Sequence, residues 1–222
     1  SEEIREAFTG SEAAIFATLA EALDAVETDV AVDFTVPDAV FENVSACLER
    51  GVHCVVGTTG LDGGQLAQLE IMAETGGANC LVAPNFAIGA VLMMEASKLF
   101  ARHLPDCEII ELHHDRKLDA PSGTALRTAD LIAEGRAAES VPPGPEGSGA
   151  RGFIHRGTPI HSVRLPGLGA HQEVVFGGLG QTVSIRHDSI SRESFMPGVV
   201  LAVRKVAALE GLVVGLENVL EF

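Results

Sequence analysis

The chain has 222 residues and a mass of 23.2 kDa, a length that suits one large domain or two modest ones. With 46% hydrophobic and 21% charged residues, its composition excludes a disordered, collagen-like or disulfide-stapled protein. Its 15 basic and 31 acidic residues give a formal net charge of -16, which disfavours attraction to nucleic acid or to anionic lipid. We therefore expect neither a nucleic-acid nor a membrane partner.

The cysteines are spaced singly, and no apolar run approaches the ~20 residues that cross a bilayer. No C-x-x-C pair and no signal peptide accompany them, which is typical of buried thiols in a reducing compartment. We expect a cytoplasmic protein whose four thiols belong to Cys47, Cys54, Cys80 and Cys107.

The first half of the chain alternates short apolar runs with amphipathic runs of helix length, beginning near Thr28. This alternation predicts parallel strands joined by crossover helices, and therefore an α/β fold class. Pro37 and Gly51 mark the start and the end of the first helix of the series. The predicted strands are 30–34, 52–56 and 79–83, and the predicted helices are 37–51, 65–74 and 88–103.

The pattern changes after Pro105 to that of a second, mixed domain. Several strand-like runs occur without helices between them, and their short separations predict antiparallel hairpins. An open antiparallel sheet of this kind needs a partner surface. The proline- and glycine-rich residues 137–152 predict a mobile surface loop. The predicted elements are strands at 107–113, 160–165, 172–177 and 181–187, helices at 122–136 and 197–209, and a strand at 212–216 that is expected to return to the first domain.

The densest polar stretch begins at Glu111, leaves a predicted strand and enters a predicted helix. Ligands of open α/β sheets bind at the carboxyl ends of strands. His113 can exchange a proton near neutral pH and Lys117 can donate one, so the two form a candidate general acid/base pair. The unpaired N–H groups at the start of the helix favour a carboxylate there, at Ser122, Gly123 and Thr124. The alternative is a structural strand end followed by an ordinary helix cap.

A metal site is not expected, although two histidines are adjacent in this stretch. His113 and His114 point to opposite faces of a strand, and no cysteine or third histidine stands at ligand spacing. The other histidines are interpreted as structural, and His171 is the one nearest to the candidate site.

Two loops in the parallel half form a second candidate site. The loop 57–60 follows one strand end, and its small residues allow a close approach of backbone N–H and hydroxyl groups to a ligand. The loop 83–86 follows the next strand end and offers an amide and an aromatic ring. Each is a plain turn if taken alone, but two such loops on successive strands line one crevice that suits a nucleotide.

The stretch Glu111–Ala125, ELHHDRKLDAPSGTA, closely resembles the signature of the 4-hydroxy-tetrahydrodipicolinate reductase family of bacterial lysine and diaminopimelate synthesis. Four further stretches match that family in the same order, and the resemblance runs from about Val30 to Phe222. These stretches are Val32–Thr35, Val56–Gly60, Ala83–Gly89 and Ser191–Phe195.

The resemblance implies a Rossmann-like nucleotide domain, a substrate domain with a mixed sheet, and a homotetramer assembled through those sheets. It also implies reduction of a small cyclic dicarboxylate by NADH or NADPH, with His113 as proton donor and acceptor and Lys117 as second proton donor. The implied substrate contacts are His114, Ser122, Gly123, Thr124 and Arg192. The implied cofactor contacts are Gly57, Thr58, Thr59, Ala83, Pro84, Asn85 and Phe86.

The implied domain bounds are 1–86 with 193–222 for the nucleotide domain and 87–192 for the substrate and tetramerisation domain. Nothing in the sequence matches the Gly-x-x-Gly-x-x-Gly turn that seats a pyrophosphate in such proteins. Three interpretations follow: a reductase whose first thirty to forty residues are absent from this chain, a short non-catalytic homologue that acts as a binding or scaffold protein, or another nicotinamide-dependent oxidoreductase on the same scaffold.

Overall fold

The structure is a computed structural model that describes residues 13–136 and 149–221. The chain divides into two compact units, each with its own sheet. The first unit takes in Ser1–Pro84 and Ala202–Gly215, and the second takes in Asn85–Leu201 and Leu216–Phe222. Residues 137–148, most of the predicted mobile loop, lie outside the described residues.

The predicted helices and strands lie within a few residues of their predicted bounds, and the sequence pattern misses the short helix Leu19–Ala25 and the short strand Phe153–His155. The helices are α1 (Leu19–Ala25), α2 (Pro37–Leu48), α3 (Gly63–Gly76), α4 (Ile88–Ala101), α5 (Gly123–Gly135) and α6 (Met196–Lys205). The strands are β1 (Val30–Asp33), β2 (His53–Val56), β3 (Cys80–Val82), β4 (Asp106–His113), β5 (Phe153–His155), β6 (Thr158–Arg164), β7 (Ala170–Gly178), β8 (Gln181–Ser189) and β9 (Leu212–Val214). Short 3₁₀ helices cover Arg192–Phe195, Val206–Ala208 and Leu216–Val219.

The first unit is a parallel sheet in the order β1-β2-β3-β9, which confirms the predicted β-α units and the return of the last strand. α2 begins at Pro37 and buries Val40, Val44 and Leu48 at helical spacing against this sheet. The side chain of Asn79 fastens the returning segment, because its amide donates to the carbonyl of Val206 at 3.1 Å, 127 residues away.

The second unit is a mixed sheet in the order β5-β6-β4-β7-β8. The prediction of a hairpin between β6 and β7 is wrong, because both strands pair with β4 instead of with each other. β6 runs parallel to β4, whereas β7 is antiparallel to β4 and to β8. β4 therefore occupies the centre of the sheet, where both of its edges are hydrogen-bonded.

α4 and α5 cover one face of this mixed sheet. The core between them contains Ile109, Ile132, Val174 and Phe176, all with 0% exposure. Burial alternates along β7, so the residues of the opposite face are only partly covered. The sheet therefore has one closed face and one open face.

The division into units differs from the predicted domain bounds at 85–86, 193–201 and 216–222, which fall in the second unit. Gly198 of α6 lies so close to Phe86 that a Cβ at this position would stand 2.0 Å from the Phe86 carbonyl oxygen. The 3₁₀ helix Leu216–Val219 contacts α4. These contacts explain why these segments group with the second unit.

Candidate active site

One edge of the mixed sheet gathers most of the predicted substrate residues. β4, β6 and β8 run in one direction and β7 runs against them, so three strands end and β7 begins along this edge. The register pairs His113 with Arg164 on β6 and with Ala170 on β7, and it pairs Ala170 with Ser189 on β8. Arg192 is exposed in the 3₁₀ helix that follows β8, so it belongs to the segment that leaves the same edge.

A buried carboxylate lies beside His113. Nδ1 of His113 contacts the carboxylate of Glu111, which is 0% exposed. The guanidinium of Arg164 donates to both oxygens of Glu111, at 2.9 and 2.8 Å. Burial alone would raise the pKa of Glu111, but hydrogen bonds from His113, Arg164 and Ser162 lower it to about 2. Glu111 is therefore an ionised carboxylate inside the sheet.

The turn after β4 carries Lys117 and His114. The N–H of His114 donates to the carbonyl of Gly169 at 3.3 Å, and the N–H of Lys117 donates to the carbonyl of His114 at 3.2 Å. The Lys117 ammonium is 2.8 Å from the Asp119 carboxylate and holds the pKa of Asp119 below its ordinary value. Nδ1 of His114 is buried and has no hydrogen-bond partner among the described residues. The turn thus combines a positive charge with an unsatisfied imidazole nitrogen.

At the start of α5, the side chain of Ser122 caps the helix, whereas no other atoms cover the backbone at Gly123. The hydroxyl of Ser122 caps the helix by accepting from the N–H of Ala125 at 3.2 Å. A Cβ added at Gly123 would meet nothing within 4 Å, so the backbone there is unobstructed. The hydroxyl of Thr124 accepts from the side-chain amide of Asn85 at 3.4 Å. A helix of this length with an open first turn can hold a carboxylate on its free N–H groups.

His171 belongs to a separate cluster at the start of β7. Its Nε2 accepts from the N–H of Gly169 at 3.0 Å, and its Nδ1 is 2.6 Å from the carboxylate of Asp188. Because Gly169 also accepts the hydrogen bond from the N–H of His114, the His171 ring supports the turn that holds His114.

Sequence reasoning gave no role to Glu111 and did not single out Arg164. A signal existed for Glu111, because residues two apart on a strand share a face and an acid there is unusual beside Ile109. No comparable signal marks Arg164, since its place next to His113 depends on a strand register that spacing alone does not give.

In the first unit, the carboxyl edge of the parallel sheet is organised by Asp33. Its carboxylate accepts from the hydroxyl of Thr58 at 2.6 Å, from the N–H of Thr35 at 3.0 Å and from the amide of Asn43 at 2.9 Å. Burial would raise the pKa of Asp33, but these hydrogen bonds hold it below its ordinary value. Asp33 thus ties the ends of β1 and β2 to α2.

Gly57 allows an aromatic ring to approach the same edge. A Cβ on Gly57 would lie 2.2 Å from the ring of Phe34, so the ring in its present position depends on the absence of a side chain at Gly57. Phe34 is 53% exposed, and Thr59 is exposed in the next turn. Gly57, Thr58 and Thr59 thus lie in the loop after β2, beside the exposed ring of Phe34, which the sequence analysis did not single out.

The predicted cofactor loop 83–86 is divided between the two units. Ala83 is buried and donates to the carbonyl of Val56 at 2.9 Å, and Pro84 is exposed at the end of the first unit. Asn85 and Phe86 belong to the second unit, where the Asn85 side chain accepts from the N–H of Ala87 at 2.9 Å. The ring of Phe86 is 3% exposed and is part of the core.

The first unit fits a nicotinamide dinucleotide. The carboxyl edge of its parallel sheet offers a glycine, two threonines and an exposed phenylalanine ring as contacts, although the described residues include no Gly-x-x-Gly-x-x-Gly turn for the pyrophosphate. Within the ranges 13–136 and 149–221, no group of three His, Cys, Asp or Glu side chains could hold a metal ion. Within the same ranges, no helix is long and apolar enough to cross a membrane.

Comparison with known families matches both halves of the chain to one family. Residues 2–86 match the description "Dihydrodipicolinate reductase, N-terminus", and residues 89–220 match "Dihydrodipicolinate reductase, C-terminus". The 4-hydroxy-tetrahydrodipicolinate reductase of Listeria monocytogenes serotype 4b is 51% identical over 219 residues, which cover 96% of this chain and 82% of that protein. The reductase of the same name from Mycolicibacterium smegmatis is 53% identical over 201 residues, covering 88% of this chain and 81% of that protein.

The solved structures agree with this match. The dipicolinate-bound dihydrodipicolinate reductase from Paenisporosarcina sp. TG-14 superposes with a TM-score of 0.85 at 51% identity, covering 92% of this chain and 78% of that one. A probable dehydrogenase from Thermotoga maritima has a TM-score of 0.63 at 12% identity, covering 99% of this chain and 82% of that one, and so shares the fold.

Proposed function

Because the chain belongs to the dihydrodipicolinate reductase family, we propose that it reduces 4-hydroxy-tetrahydrodipicolinate to tetrahydrodipicolinate with NADH or NADPH. The observation that carries this proposal is the identity of about half the residues over nearly the whole chain to reductases of that name. The reaction belongs to lysine and diaminopimelate synthesis.

The chemistry requires groups that both accept and donate protons. Loss of the substrate hydroxyl as water takes a proton from the neighbouring ring carbon and places one on the leaving oxygen, and reduction of the resulting unsaturated ring adds a hydride and a proton. Bound NADH or NADPH supplies the hydride. His113 accepts and returns the proton, and Lys117 is the second donor, because its ammonium lies in the turn that follows His113.

Substrate binding depends on the open start of α5. One carboxylate rests on the N–H groups at Gly123 and Thr124, supported by the Ser122 cap. The buried and unsatisfied Nδ1 of His114 finds its hydrogen-bond partner in the substrate. The exposed guanidinium of Arg192 offers a further charge for the second carboxylate.

The first unit is the nucleotide-binding unit in this proposal. Gly57, Thr58 and Thr59 hold the cofactor at the carboxyl edge of the parallel sheet, and Ala83 and Pro84 extend this edge. In the second unit, the Asn85 amide donates to the hydroxyl of Thr124 and the ring of Phe86 is buried, so both residues hold their own segment in place.

The second unit also provides the assembly surface of a homotetramer. Its sheet has helices on one face, while the apolar residues of the other face stay partly exposed. Burying such a face against another copy removes apolar area from water. The residues of this open face include Ile110, Leu112, Val163 and Val175.

The activity is tested by following oxidation of NADH and NADPH with substrate generated enzymatically. We expect substrate-dependent oxidation, and we expect kcat to fall by ~10²-fold or more in His113→Gln and in Lys117→Ala, the loss typical of missing acid/base groups. His103→Gln and Lys98→Ala are the matched controls, since both residues are on α4 or directly after it and outside the site. Near-normal turnover in the first two variants, or equal losses in the controls, contradicts the assignment.

A further inference from the structure

We infer that Glu111 and Arg164 form a buried positioning pair that fixes the orientation and the tautomer of His113 and leaves its Nε2 as the nitrogen that exchanges protons. This inference rests on the proposed function for the identity of the reaction. It concerns two residues to which neither the sequence pattern nor the family resemblance assigned a role.

The contacts of Glu111 determine which nitrogen of His113 carries a proton. An ionised carboxylate only accepts hydrogen bonds, so the Nδ1 that touches it must be the protonated nitrogen. The remaining nitrogen, Nε2, then carries the lone pair of the neutral ring. His113 is 14% exposed through its side chain, which leaves it accessible to a ligand while Glu111 is sealed inside the sheet.

Arg164 keeps Glu111 both ionised and in place. Its two terminal nitrogens bond one carboxylate oxygen each, a planar arrangement that lysine cannot reproduce. A buried carboxylate without such a partner would take up a proton and could then no longer orient the imidazole. The side chain of Arg164 is 18% exposed, so its charge is largely removed from solvent as well.

The pair also joins the three segments that carry the candidate residues. Arg164 donates to the carbonyl of Asp119 at 2.6 Å, and the Asp119 carboxylate holds the Lys117 ammonium. Oε1 of Glu111 accepts from the N–H of Ser122 at 3.3 Å, directly before α5. The end of β4, the lysine turn and the carboxylate-binding helix start therefore share one buried anchor.

The first test replaces the carboxylate by an amide. In Glu111→Gln the amide nitrogen can donate to Nδ1 of His113, which would move the ring proton to Nε2. We expect kcat to fall at least ~10-fold, with the substrate KM changed less than about threefold, because the wrong tautomer impairs proton transfer more than binding. Asp130→Asn is the matched control: Asp130 also contacts a histidine, His155 at 2.8 Å, but on α5 away from the site.

The second test separates positioning from folding. A single substitution leaves the partner charge buried and destabilises the protein, whereas Glu111→Gln combined with Arg164→Met removes both charges together. We expect the thermal midpoint of the double variant to lie above that of Glu111→Gln while kcat stays low. Recovery of kcat to within about threefold of wild type in the double variant would overturn the inference, as would such turnover in Glu111→Gln alone.

The third measurement does not depend on turnover. ¹⁵N spectra of histidine-labelled protein, with the His113 signals assigned through His113→Gln, report which ring nitrogen is protonated. We expect protonated Nδ1 in the wild type and protonated Nε2 in Glu111→Gln. Unprotonated Nδ1 in the neutral wild-type ring overturns the inference even if the reductase activity is confirmed. If the spectra are as expected but the protein does not oxidise NADH or NADPH with the substrate, the proposed function is overturned and the assignment of the His113 tautomer stands.

Discussion

Asp33 is the residue on which the cofactor edge of the first unit depends. Its carboxylate accepts from Thr58, Thr35 and Asn43, so the loop after β2 is held by a group that only accepts hydrogen bonds. In Asp33→Asn an amide NH₂ group replaces one carboxylate oxygen, so it faces a group that donated a hydrogen bond to that oxygen. We expect the KM for NADH to rise about 10-fold with kcat changed less than threefold, measured by steady-state oxidation.

Asp38→Asn is the control for this substitution, because Asp38 lies in the exposed first turn of α2, close in sequence but outside the network. An unchanged KM for NADH in Asp33→Asn, or an equal rise in Asp38→Asn, would show that the network does not shape the cofactor site.

Residue types at the active site were predictable, but their partners were not. His113, Lys117 and Ser122 stand out because a strand end followed by a helix start is where α/β proteins bind ligands. The ion pair of Glu111 with Arg164 joins residues 53 positions apart. Only the register of β4 and β6 brings them together, and no local pattern encodes that register.

The packing of α4 on α5 depends on one glycine at the end of α5. A Cβ on Gly135 would lie 2.2 Å from the carbonyl oxygen of Lys98 and 3.4 Å from Cβ of Ala101. Backbone atoms cannot move aside as a flexible side chain can. We therefore expect Gly135→Ala to lower the free energy of unfolding by about 1–3 kcal/mol, measured by urea denaturation.

Gly63→Ala provides the comparison, because a Cβ at Gly63 meets nothing within 4 Å and α3 begins there. Its free energy of unfolding should change by no more than about 0.5 kcal/mol, or rise slightly. Equal effects of the two substitutions would contradict the role assigned to the helix contact.

Helices and strands were easier to predict than the order in which strands pair. α2 follows from Pro37 and the buried spacing of Val40 and Val44, which are local signals. The hairpin predicted between β6 and β7 is wrong because short separation favours pairing of neighbours in the chain, whereas here each strand pairs with one edge of β4, which lies between them.

The open face of the mixed sheet leads to a prediction for the whole molecule. Val175 lies on this face near the middle of β7, between Glu108 on β4 and Ser184 on β8. A charge there would have to be buried if four copies assemble through their sheets. We expect the wild type to sediment as a tetramer and Val175→Asp to sediment as a smaller species.

Ile71→Asp on α3 is the control, since Ile71 is 61% exposed in the first unit and outside the sheet face. A monomeric wild type, or a tetramer that tolerates Val175→Asp as well as Ile71→Asp, would refute assembly through this face.

The position of β9 in the chain sets the order in which the two sheets are completed during synthesis. The strands of the mixed sheet follow one another without interruption, from β4 to β8. The parallel sheet has three of its strands early, but its fourth pairs with β3 only after the segment at Val206, 127 residues beyond Asn79, has left the ribosome. Until then β3 has an unpaired edge, the kind of edge to which other chains adhere. The sheet begun first is therefore the sheet completed last, and the edge of β3 is open to misassociation while the chain is growing.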